Sequence, residues 1–433
     1  MALLPAFPEF SKDWLEDILR RELSLPSAIQ LLSAQAKDVG VGQGFLSEVA
    51  RVRLTWSVGS ETPLPTSIIL KVPTMTRMEE LSAQMGAPRE ESQGPEPSDP
   101  FDFVFQVHGT ECNFYEFARK HGSPLKAPKA YFTQKHEKGQ TGVIVMEDMG
   151  IQGLVPHTSY PLNAKQLKEV LAEMAKLHAS GFRHPDLFQV PSEMVDWGPE
   201  KMKSFVDFVV GVAQTLKAQQ PQVFGVMIDE IMPYISIDNF VASFAQFLNH
   251  KEQMVLVHGD LWNNNLIFNR IRGEERDSHG DQLLAIVDYQ MVRPGMAGDD
   301  IAHLLTSSVE PALWHDNLEQ LIQECYYEPF LANLPDNFPP PFTVTDVVNG
   351  IKKSSLPNML QALATGSSQM PSLLVDSAPD AKERLSRLVQ RMAGNLHWCL
   401  PYLEKFPPLT PDQLADMLSF MRTRDNTAEK SSQ

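Results

Sequence analysis

The chain has 433 residues, of which 42% are hydrophobic and 21% are charged. These proportions are those of a globular protein, and the length suggests two or three domains. The net charge of −17 argues against a surface for nucleic acid or anionic membrane, because such surfaces are basic. No run of residues approaches the ~20 apolar positions of a membrane span, so we expect none.

The cysteines and the N-terminus bear on the compartment. Cys112, Cys325 and Cys399 are far apart and lack metal-binding spacing. We therefore expect a reducing compartment and no disulfide framework. The N-terminus lacks the basic start and the sustained apolar core of a signal peptide, so we expect a cytoplasmic protein.

The first predicted element is an amphipathic helix over residues 10–35, with Ser11 as its N-cap. Its apolar residues recur at helical spacing: Trp14, Leu15, Ile18, Leu19 and Leu23. We interpret residues 1–37 as a helical extension that packs ahead of a first lobe.

A glycine-rich turn follows, with Gly40, Gly42, Gly44 and, shortly after them, Ser47. Alternating apolar residues over 49–56 predict a strand behind it. The turn is either a plain hairpin turn or a loop whose bare backbone N–H groups cover phosphates. Its spacing departs from Gly-x-Gly-x-x-Gly, so the residues alone leave both interpretations open.

Lys71 lies inside an apolar predicted strand, residues 67–73. A lysine in a buried strand is costly unless it is paired. It lies either on an edge strand, with its ammonium reaching water, or beside nucleotide phosphates, paired with a helix glutamate. We favour the second interpretation because an acidic helix follows.

Residues 74–100 are rich in methionine, charge and proline, and we expect a flexible insert there. A helix with an aromatic stripe follows and contains Glu111. A predicted hairpin over residues 130–146 then ends at the polar break Glu147-Asp148-Met149-Gly150. We place the boundary between two lobes at residue 150.

Three helical blocks are predicted over residues 163–180, 197–220 and 227–250. His178 lies on the apolar face of the first block, where a histidine is usually a satisfied core residue rather than a catalytic one. Apolar residues of the other two blocks either form a bundle core or wall a ligand pocket: Trp197, Phe205, Phe208, Phe224, Met227 and Phe240.

The most informative stretch is an apolar strand that delivers His258-Gly259-Asp260 into a polar turn, with Asn265 five positions after Asp260. A second apolar strand delivers Asp288 across one hairpin. Phosphoryl transfer to a hydroxyl uses these groups at this spacing: one Asp accepts the proton, while an Asn and a second Asp hold Mg²⁺ on the nucleotide phosphates. An ordinary turn explains the tripeptide His-Gly-Asp on its own. A chance match to the tripeptide together with Asn265 and Asp288 at this spacing is rarer.

These two motifs, His-Gly-Asp-Leu-Trp-Asn-Asn-Asn and Asp-Tyr-Gln, resemble those of the ecdysteroid kinase-like proteins. That family belongs with the choline kinase and aminoglycoside phosphotransferase group of small-molecule kinases. The resemblance implies an α+β, protein kinase-like, two-lobed fold. A small antiparallel-sheet lobe would occupy residues 38–150 and a larger helical lobe residues 151–423, with a disordered tail at 424–433.

The resemblance assigns the chemistry of the helical lobe. Asp260 is the catalytic base, with His258 and Asn265 beside it, and Asn265 and Asp288 bind Mg²⁺. Asp300 caps a helix and, by resemblance, braces the catalytic loop. The chain has no Ala-Pro-Glu motif and no arginine before Asp260, which disfavours a protein kinase with a phosphorylated activation loop.

In the small lobe the resemblance implies an ATP site. Glu111 stands in the family's Glu-x-x-Phe-Tyr helix, so we pair it with Lys71 and keep Glu116 as the alternative. The expected nucleotide-binding residues also include backbone groups at the 147–150 break and the glycine turn: Gly40, Gly42, Gly44, Ser47, Lys71, Glu111, Glu147 and Met149.

The sequence therefore predicts an ATP- and Mg²⁺-dependent kinase whose acceptor is a hydroxyl of a small, apolar molecule, such as a sterol or a hydroxylated xenobiotic. One alternative is a kinase for a cationic acceptor of the choline or aminoglycoside kind. Another is a pseudokinase or lipophile-binding module that binds nucleotide without turnover. The presence of all five key groups favours an enzyme.

Overall fold

The structure is a computed structural model, and it describes residues 2–40, 46–57, 64–74, 100–122, 125–184, 199–245, 252–273, 277–413 and 415. Most of the expected insert and the whole expected tail lie outside these ranges. The chain divides into two compact units. The sheet unit consists of residues 1–123, 127–153 and 192–194, and the helical unit consists of residues 124–126, 154–191 and 195–433.

The sheet unit is built on a five-stranded antiparallel sheet in the order β3-β4-β5-β7-β6. Its elements are β1 (Ala2–Leu4), β2 (Phe7–Ser11), α1 (Lys12–Glu22), β3 (Leu31–Asp38), β4 (Ser47–Trp56), β5 (Ser67–Pro73), α2 (Pro100–His121), β6 (Ala130–Gln134) and β7 (Val143–Glu147). The short strand β8 (Gly153–Leu154) follows at the boundary between the two units and is not part of this sheet. Because β5 lies between β4 and β7, Lys71 is on an interior strand and the edge-strand interpretation is wrong.

The N-terminal helix is shorter than we expected. Ser11 caps it as predicted, with its hydroxyl accepting from the Trp14 N–H at 3.2 Å, but the helix ends at Glu22. Ser24 adopts a positive φ of 52°, and Pro26 cannot continue the helix. Residues 31–38 form the edge strand β3 instead, so the predicted helix over residues 10–35 is wrong in its second half.

The helical unit contains ten α-helices among its described residues. They are α3 (Ala164–Arg183), α4 (Pro199–Gln219), α5 (Pro221–Ile231), α6 (Ile237–Ala245), α7 (Ala297–Ser308), α8 (Leu318–Ile322), α9 (Glu328–Asn333), α10 (Val344–Lys353), α11 (Ser355–Val375) and α12 (Ala381–Cys399). Four strands accompany them: β9 (Val255–Val257), β10 (Leu266–Ile271), β11 (Ser278–Ile286) and β12 (Arg293–Gly295).

These four strands form two antiparallel pairs that present the sequence motifs. β9 pairs with β12 and ends immediately before His258. β10 and β11 form a hairpin, and β11 ends two residues before Asp288. The two polar turns therefore follow buried strands, as the apolar runs before them predicted.

Helices α4, α5, α6, α11 and α12 share one apolar core, in which Phe224 and Phe240 are buried. Met227 packs at its margin, whereas Phe208 is 43% exposed. Trp197 and the Phe205 side chain lie outside what the structure describes. The core interpretation therefore holds for Phe224 and Phe240. Within the described part of the chain, no helix combines the length and the apolar character needed to cross a membrane.

Candidate active site

The loop that carries His258 and Asp260 is held by the carboxylate of Asp300, near the start of α7. Asp300 Oδ2 accepts from the His258 N–H at 2.6 Å and Oδ1 accepts from the Gly259 N–H at 2.8 Å. His178 Nε2 donates to Oδ2 at 3.1 Å. Burial alone would raise the pKa of Asp300, but the His178 hydrogen bond and the neighbouring groups lower it to about 2. The predicted bracing of the loop by Asp300 is confirmed.

Gly259 explains why this loop has no arginine between the histidine and the aspartate. Its φ is +81°, a conformation that favours glycine. A Cβ there would lie 2.3 Å from the Met291 carbonyl oxygen. A side chain at this position would therefore have to displace the backbone that follows the second motif.

His258 is a fully buried part of the loop framework. Its Nε2 lies 3.0 Å from the Val287 carbonyl oxygen, and its Nδ1 accepts from the Asp260 N–H at 3.3 Å. A single tautomer, with the proton on Nε2, satisfies both contacts. His258 thus connects the first polar turn to the strand end that precedes Asp288.

Asp260 and Asn265 are in direct contact. The Asn265 amide nitrogen donates to the Asp260 carbonyl oxygen at 2.7 Å and to Asp260 Oδ2 at 3.1 Å. The other carboxylate oxygen, Oδ1, accepts from Gln361 Nε2 at 3.1 Å. Burial, followed by the charge of nearby Asp288, raises the pKa of Asp260 to about 7. The structure thus brings together Asp260, Asn265 and Asp288, which the sequence singled out.

Asp288 sits in the left-handed region, with φ 68° and ψ 59°, a conformation that Asp tolerates better than most residues. The Val287 N–H donates to the Asn265 carbonyl oxygen at 2.9 Å, which ties the two motif turns together. Since the Asn265 amide nitrogen faces Asp260, its Oδ1 is the atom left to bind a metal.

The oxygen ligands that Asn265 and Asp288 offer are of the kind that Mg²⁺ binds. The ion takes one or two protein carboxylates together with phosphates and water, rather than a dedicated protein cage. Among the residues that the structure describes, no group of three or more His, Cys, Asp or Glu side chains is arranged to hold a metal ion.

In the sheet unit, Lys71 and Glu111 form a buried ion pair. Lys71 Nζ lies 2.6 Å from Glu111 Oε2, and the two residues are 8% and 1% exposed. Glu116, the alternative partner, accepts instead from the Thr133 hydroxyl at 3.0 Å. The predicted pairing of Lys71 with Glu111 is confirmed.

Other predicted nucleotide-binding positions of the sheet unit are only partly described. The Gly40 N–H donates to Asp38 Oδ1 at 2.8 Å, and Ser47 is buried at the start of β4. Gly42 and Gly44 lie outside the described residues.

The break after β7 has an anchor that the sequence analysis missed. The Asp148 carboxylate accepts from Arg51 Nε at 2.6 Å, from the Ser67 hydroxyl and from the Gly150 N–H at 3.0 Å. This carboxylate holds the backbone at Gly150, directly after the predicted positions Glu147 and Met149.

Two groups of the helical unit were also missed, and both lie far away in sequence. Gln361 contacts Asp260 across 101 positions, and Tyr326 places its hydroxyl 2.9 Å from His178 Nδ1 across 148 positions. Neither belongs to a local motif, so spacing gave no sign of them. The core interpretation of His178 is correct, since both ring nitrogens are satisfied.

The two units together have the kinase-like α+β fold that the motifs implied: an antiparallel sheet with a lysine–glutamate pair, and a mainly helical unit that carries the His-Gly-Asp loop. A family model, DUF1679, described as "Uncharacterized oxidoreductase dhs-27", matches residues 16–365, which is most of the chain. The chain belongs to this family, which falls among the ecdysteroid kinase-like proteins, and the resemblance is thereby confirmed.

The solved structures that this chain matches at low sequence identity include three phosphotransferases. A GDP complex of wild-type aminoglycoside 2'-phosphotransferase-IIIa is 13% identical, with 89% of this chain and 99% of that chain covered and a TM-score of 0.38. The streptomycin–ATP–APH(2")-IIa ternary complex has 13% identity, 92% and 99% coverage and a TM-score of 0.38. Macrolide 2'-phosphotransferase MphH from Brachybacterium faecium has 11% identity, 87% and 97% coverage and a TM-score of 0.32.

A search of curated proteins gives no significant match.

Proposed function

We propose that the protein is an ATP-dependent kinase that transfers the γ-phosphate to a hydroxyl of a small molecule. One observation carries this proposal. The Asp260 carboxylate receives one amide donor on each oxygen, and it stands on a loop whose backbone is held by the buried Asp300. A fixed carboxylate beside a metal-binding Asn and Asp is what phosphoryl transfer to a hydroxyl requires.

In the helical unit, Asp260 orients the acceptor hydroxyl and takes its proton. The acceptor oxygen forms a bond to the γ-phosphorus while the bond from phosphorus to the β–γ bridging oxygen breaks, and ADP leaves. Asn265 and Asp288 would hold Mg²⁺, which neutralises the phosphates when bound. We assign His258 to the support of this loop, because both of its ring nitrogens are engaged there.

In the sheet unit, Lys71 would bind the α- and β-phosphates, with Glu111 fixing its position. The turn at Gly40, Gly42, Gly44 and Ser47 would cover the phosphates with backbone N–H groups. The backbone of Glu147 and Met149 would bind adenine. An acidic chain needs such local positive charge to bind an anionic nucleotide.

The family description names an oxidoreductase, so a nicotinamide-dependent activity is the second candidate. Dinucleotide-binding oxidoreductases of the doubly wound kind use a parallel βαβ unit with a glycine fingerprint. The largest sheet of the described residues is antiparallel throughout, and Lys71 with Glu111 occupies its interior. We therefore favour the kinase.

For the acceptor we propose an apolar hydroxyl compound, on the strength of the family resemblance. The aromatic side chains of Phe224 and Phe240 belong to the core and give no support to an apolar pocket. A screen should offer sterols and phenolic or alcohol xenobiotics in competition with choline, ethanolamine and aminoglycosides. Turnover of cationic acceptors alone would overturn the apolar choice and leave the kinase proposal intact.

The kinase proposal itself is tested with Asp260→Asn and, as a control, Asp336→Asn at an exposed position. With Mg²⁺-ATP and an acceptor from the screen, Asp260→Asn should lower kcat by ~10²–10⁴-fold, while ATP binding is retained. Asp336→Asn should behave as the parent. A parent protein that binds ATP but phosphorylates nothing across the panel is a pseudokinase, and reduction of a nicotinamide cofactor would support the second candidate.

A further inference from the structure

Gln361 is the one side chain from the C-terminal helices whose hydrogen bond to Asp260 the structure describes. It lies in the second turn of α11, 101 positions away in sequence, and it is partly buried. Its amide nitrogen donates to Asp260 Oδ1 at 3.1 Å. None of the sequence motifs includes it.

We infer that Gln361 is a positioning residue for the base: it fixes the plane of the Asp260 carboxylate through Oδ1, while Asn265 holds Oδ2. This inference rests on the proposed function, in which Asp260 receives the acceptor's proton. Rotation about the Cβ–Cγ bond of an aspartate is soft, and its torsion is broad. Donors on both oxygens restrict that rotation, because turning the carboxylate breaks both hydrogen bonds.

The two hydrogen bonds leave the base able to act. Besides the two amides, the Trp262 side chain also hydrogen-bonds to the Asp260 carboxylate. A carboxylate offers about four lone-pair sites on its two oxygens, so three donors leave one site to accept a proton. An amide donor carries no net charge and does not compete for the proton. Gln361 therefore orients Asp260 toward the acceptor hydroxyl without neutralising it.

The position of Gln361 depends on the same helix that holds the catalytic loop. Near the start of α11, the Ser354 hydroxyl donates to Asp299 Oδ1 on α7 at 2.5 Å. The preceding helix, α10, also approaches α7 closely: a Cβ on Gly298 would lie 2.5 Å from the backbone carbon of Gly350. Helix α7 also carries Asp300, which accepts from the His258 N–H. The loop that carries Asp260 and the helix that carries Gln361 are therefore both attached to α7.

The test compares Gln361→Met and Gln361→Leu, which fill much of the space of the glutamine side chain, add no charge beside Asp260 and have no hydrogen to donate to Oδ1. Gln369→Met, on the same helix and also partly buried, is the matched control. We expect kcat to fall by ~10–10²-fold in both Gln361 variants, the loss that a misplaced catalytic group causes, with KM for ATP unchanged. The control should keep the kcat of the parent. A parental kcat in both Gln361 variants would overturn the inference.

A double-mutant cycle with Asp260→Asn separates positioning from general damage. If Gln361 acts through Asp260, then Gln361→Met should cause no further loss in the Asp260→Asn background. An equal loss in both backgrounds would mean that Gln361 acts elsewhere, and would overturn the inference.

Crystal structures provide a readout that does not depend on turnover. In Gln361→Met the Asp260 carboxylate should rotate or become disordered about its χ2 angle, whereas in the parent and in Gln369→Met it should stay fixed. A carboxylate that keeps its plane in Gln361→Met overturns the inference even if the parent proves to be an active kinase. Conversely, a parent without kinase activity refutes the proposed function, and the structures still decide whether Gln361 orients Asp260.

Discussion

His178 and Asp300 form a fully buried hydrogen-bonded pair across 122 positions of sequence, with Nε2 3.1 Å from Oδ2. Tyr326 completes the arrangement by placing its hydroxyl 2.9 Å from His178 Nδ1. With its proton on Nε2, the imidazole accepts from tyrosine and donates to the carboxylate. The carboxylate that holds the His258–Asp260 loop is therefore itself held in place by α3.

The first prediction concerns the backbone contacts of Asp300. In Asp300→Asn an NH₂ group replaces one carboxylate oxygen, so one buried backbone N–H, of His258 or Gly259, loses its acceptor. Leaving a buried donor unsatisfied costs about 1–3 kcal/mol, and the loss of charge assistance adds to it. We expect the free energy of unfolding, measured by urea denaturation, to fall by about 2–4 kcal/mol. The exposed control Asp336→Asn should change it little.

The second prediction is the pH dependence that follows from the same group. The pKa of Asp300 is about 2, below its ordinary value of 3.8, so the folded state favours the ionised form. Its contribution, of about 2 kcal/mol, is fully present above pH ~4 and is lost as the pH falls toward ~2. Unfolding free energies measured across this window should therefore fall more steeply for the parent than for Asp300→Asn. An equal pH dependence of the unfolding free energy in the parent and in Asp300→Asn would contradict a lowered pKa of Asp300 in the folded state.

The third prediction uses two glycines with nearly the same φ angle. Gly259 has φ +81° and Gly139 has φ +83°, but a Cβ meets the Met291 carbonyl oxygen only at Gly259, and nothing within 4 Å at Gly139. Gly139→Ala should therefore show the conformational strain alone, of roughly 1–2 kcal/mol. Gly259→Ala should lose more stability and also turnover, because the loop must shift. Thermal unfolding and a kinase assay on both variants measure this; equal losses would argue against a tight loop.

The local parts of the site could be predicted from the sequence, because strand-end motifs keep their spacing when they fold. Asp260, Asn265 and Asp288 came from spacing, and Glu111 as the partner of Lys71 came from a short helix pattern. Gln361 and the Asp148 anchor could not be found this way, since each contact joins residues about a hundred positions apart. The helix predicted over residues 10–35 extends into β3 because the apolar residues there do not distinguish helical from strand periodicity; pairing with β4 decides for the strand.

The fourth prediction concerns the metal. Asp288 offers a charged ligand, whereas Asn265 offers only a neutral oxygen, so Asp288→Ala should weaken Mg²⁺-dependent ATP binding more than Asn265→Ala. Asn265→Ala should lower kcat as well, because its amide also holds Asp260. Calorimetric titrations with ATP, with and without Mg²⁺, test both statements. ATP affinity in the parent that ignores Mg²⁺ would contradict the assignment of this metal site.

The fifth prediction concerns the ion pair between Lys71 and Glu111. Lys71→Met leaves a buried carboxylate without this partner, and Glu111→Gln removes the charge that fixes the ammonium. Breaking one side of a buried pair is strongly destabilising, whereas removing both sides costs less.

A double-mutant cycle should therefore show a coupling energy of about 1–3 kcal/mol in unfolding free energy, and ATP affinity should fall in both single variants. Glu116→Gln is the control, because Glu116 bonds to Thr133 and should not couple to Lys71. Additive effects of Lys71→Met and Glu111→Gln would mean that the contact of 2.6 Å contributes nothing specific. Coupling with unchanged ATP affinity would keep the pair as a structural feature and remove it from the nucleotide site.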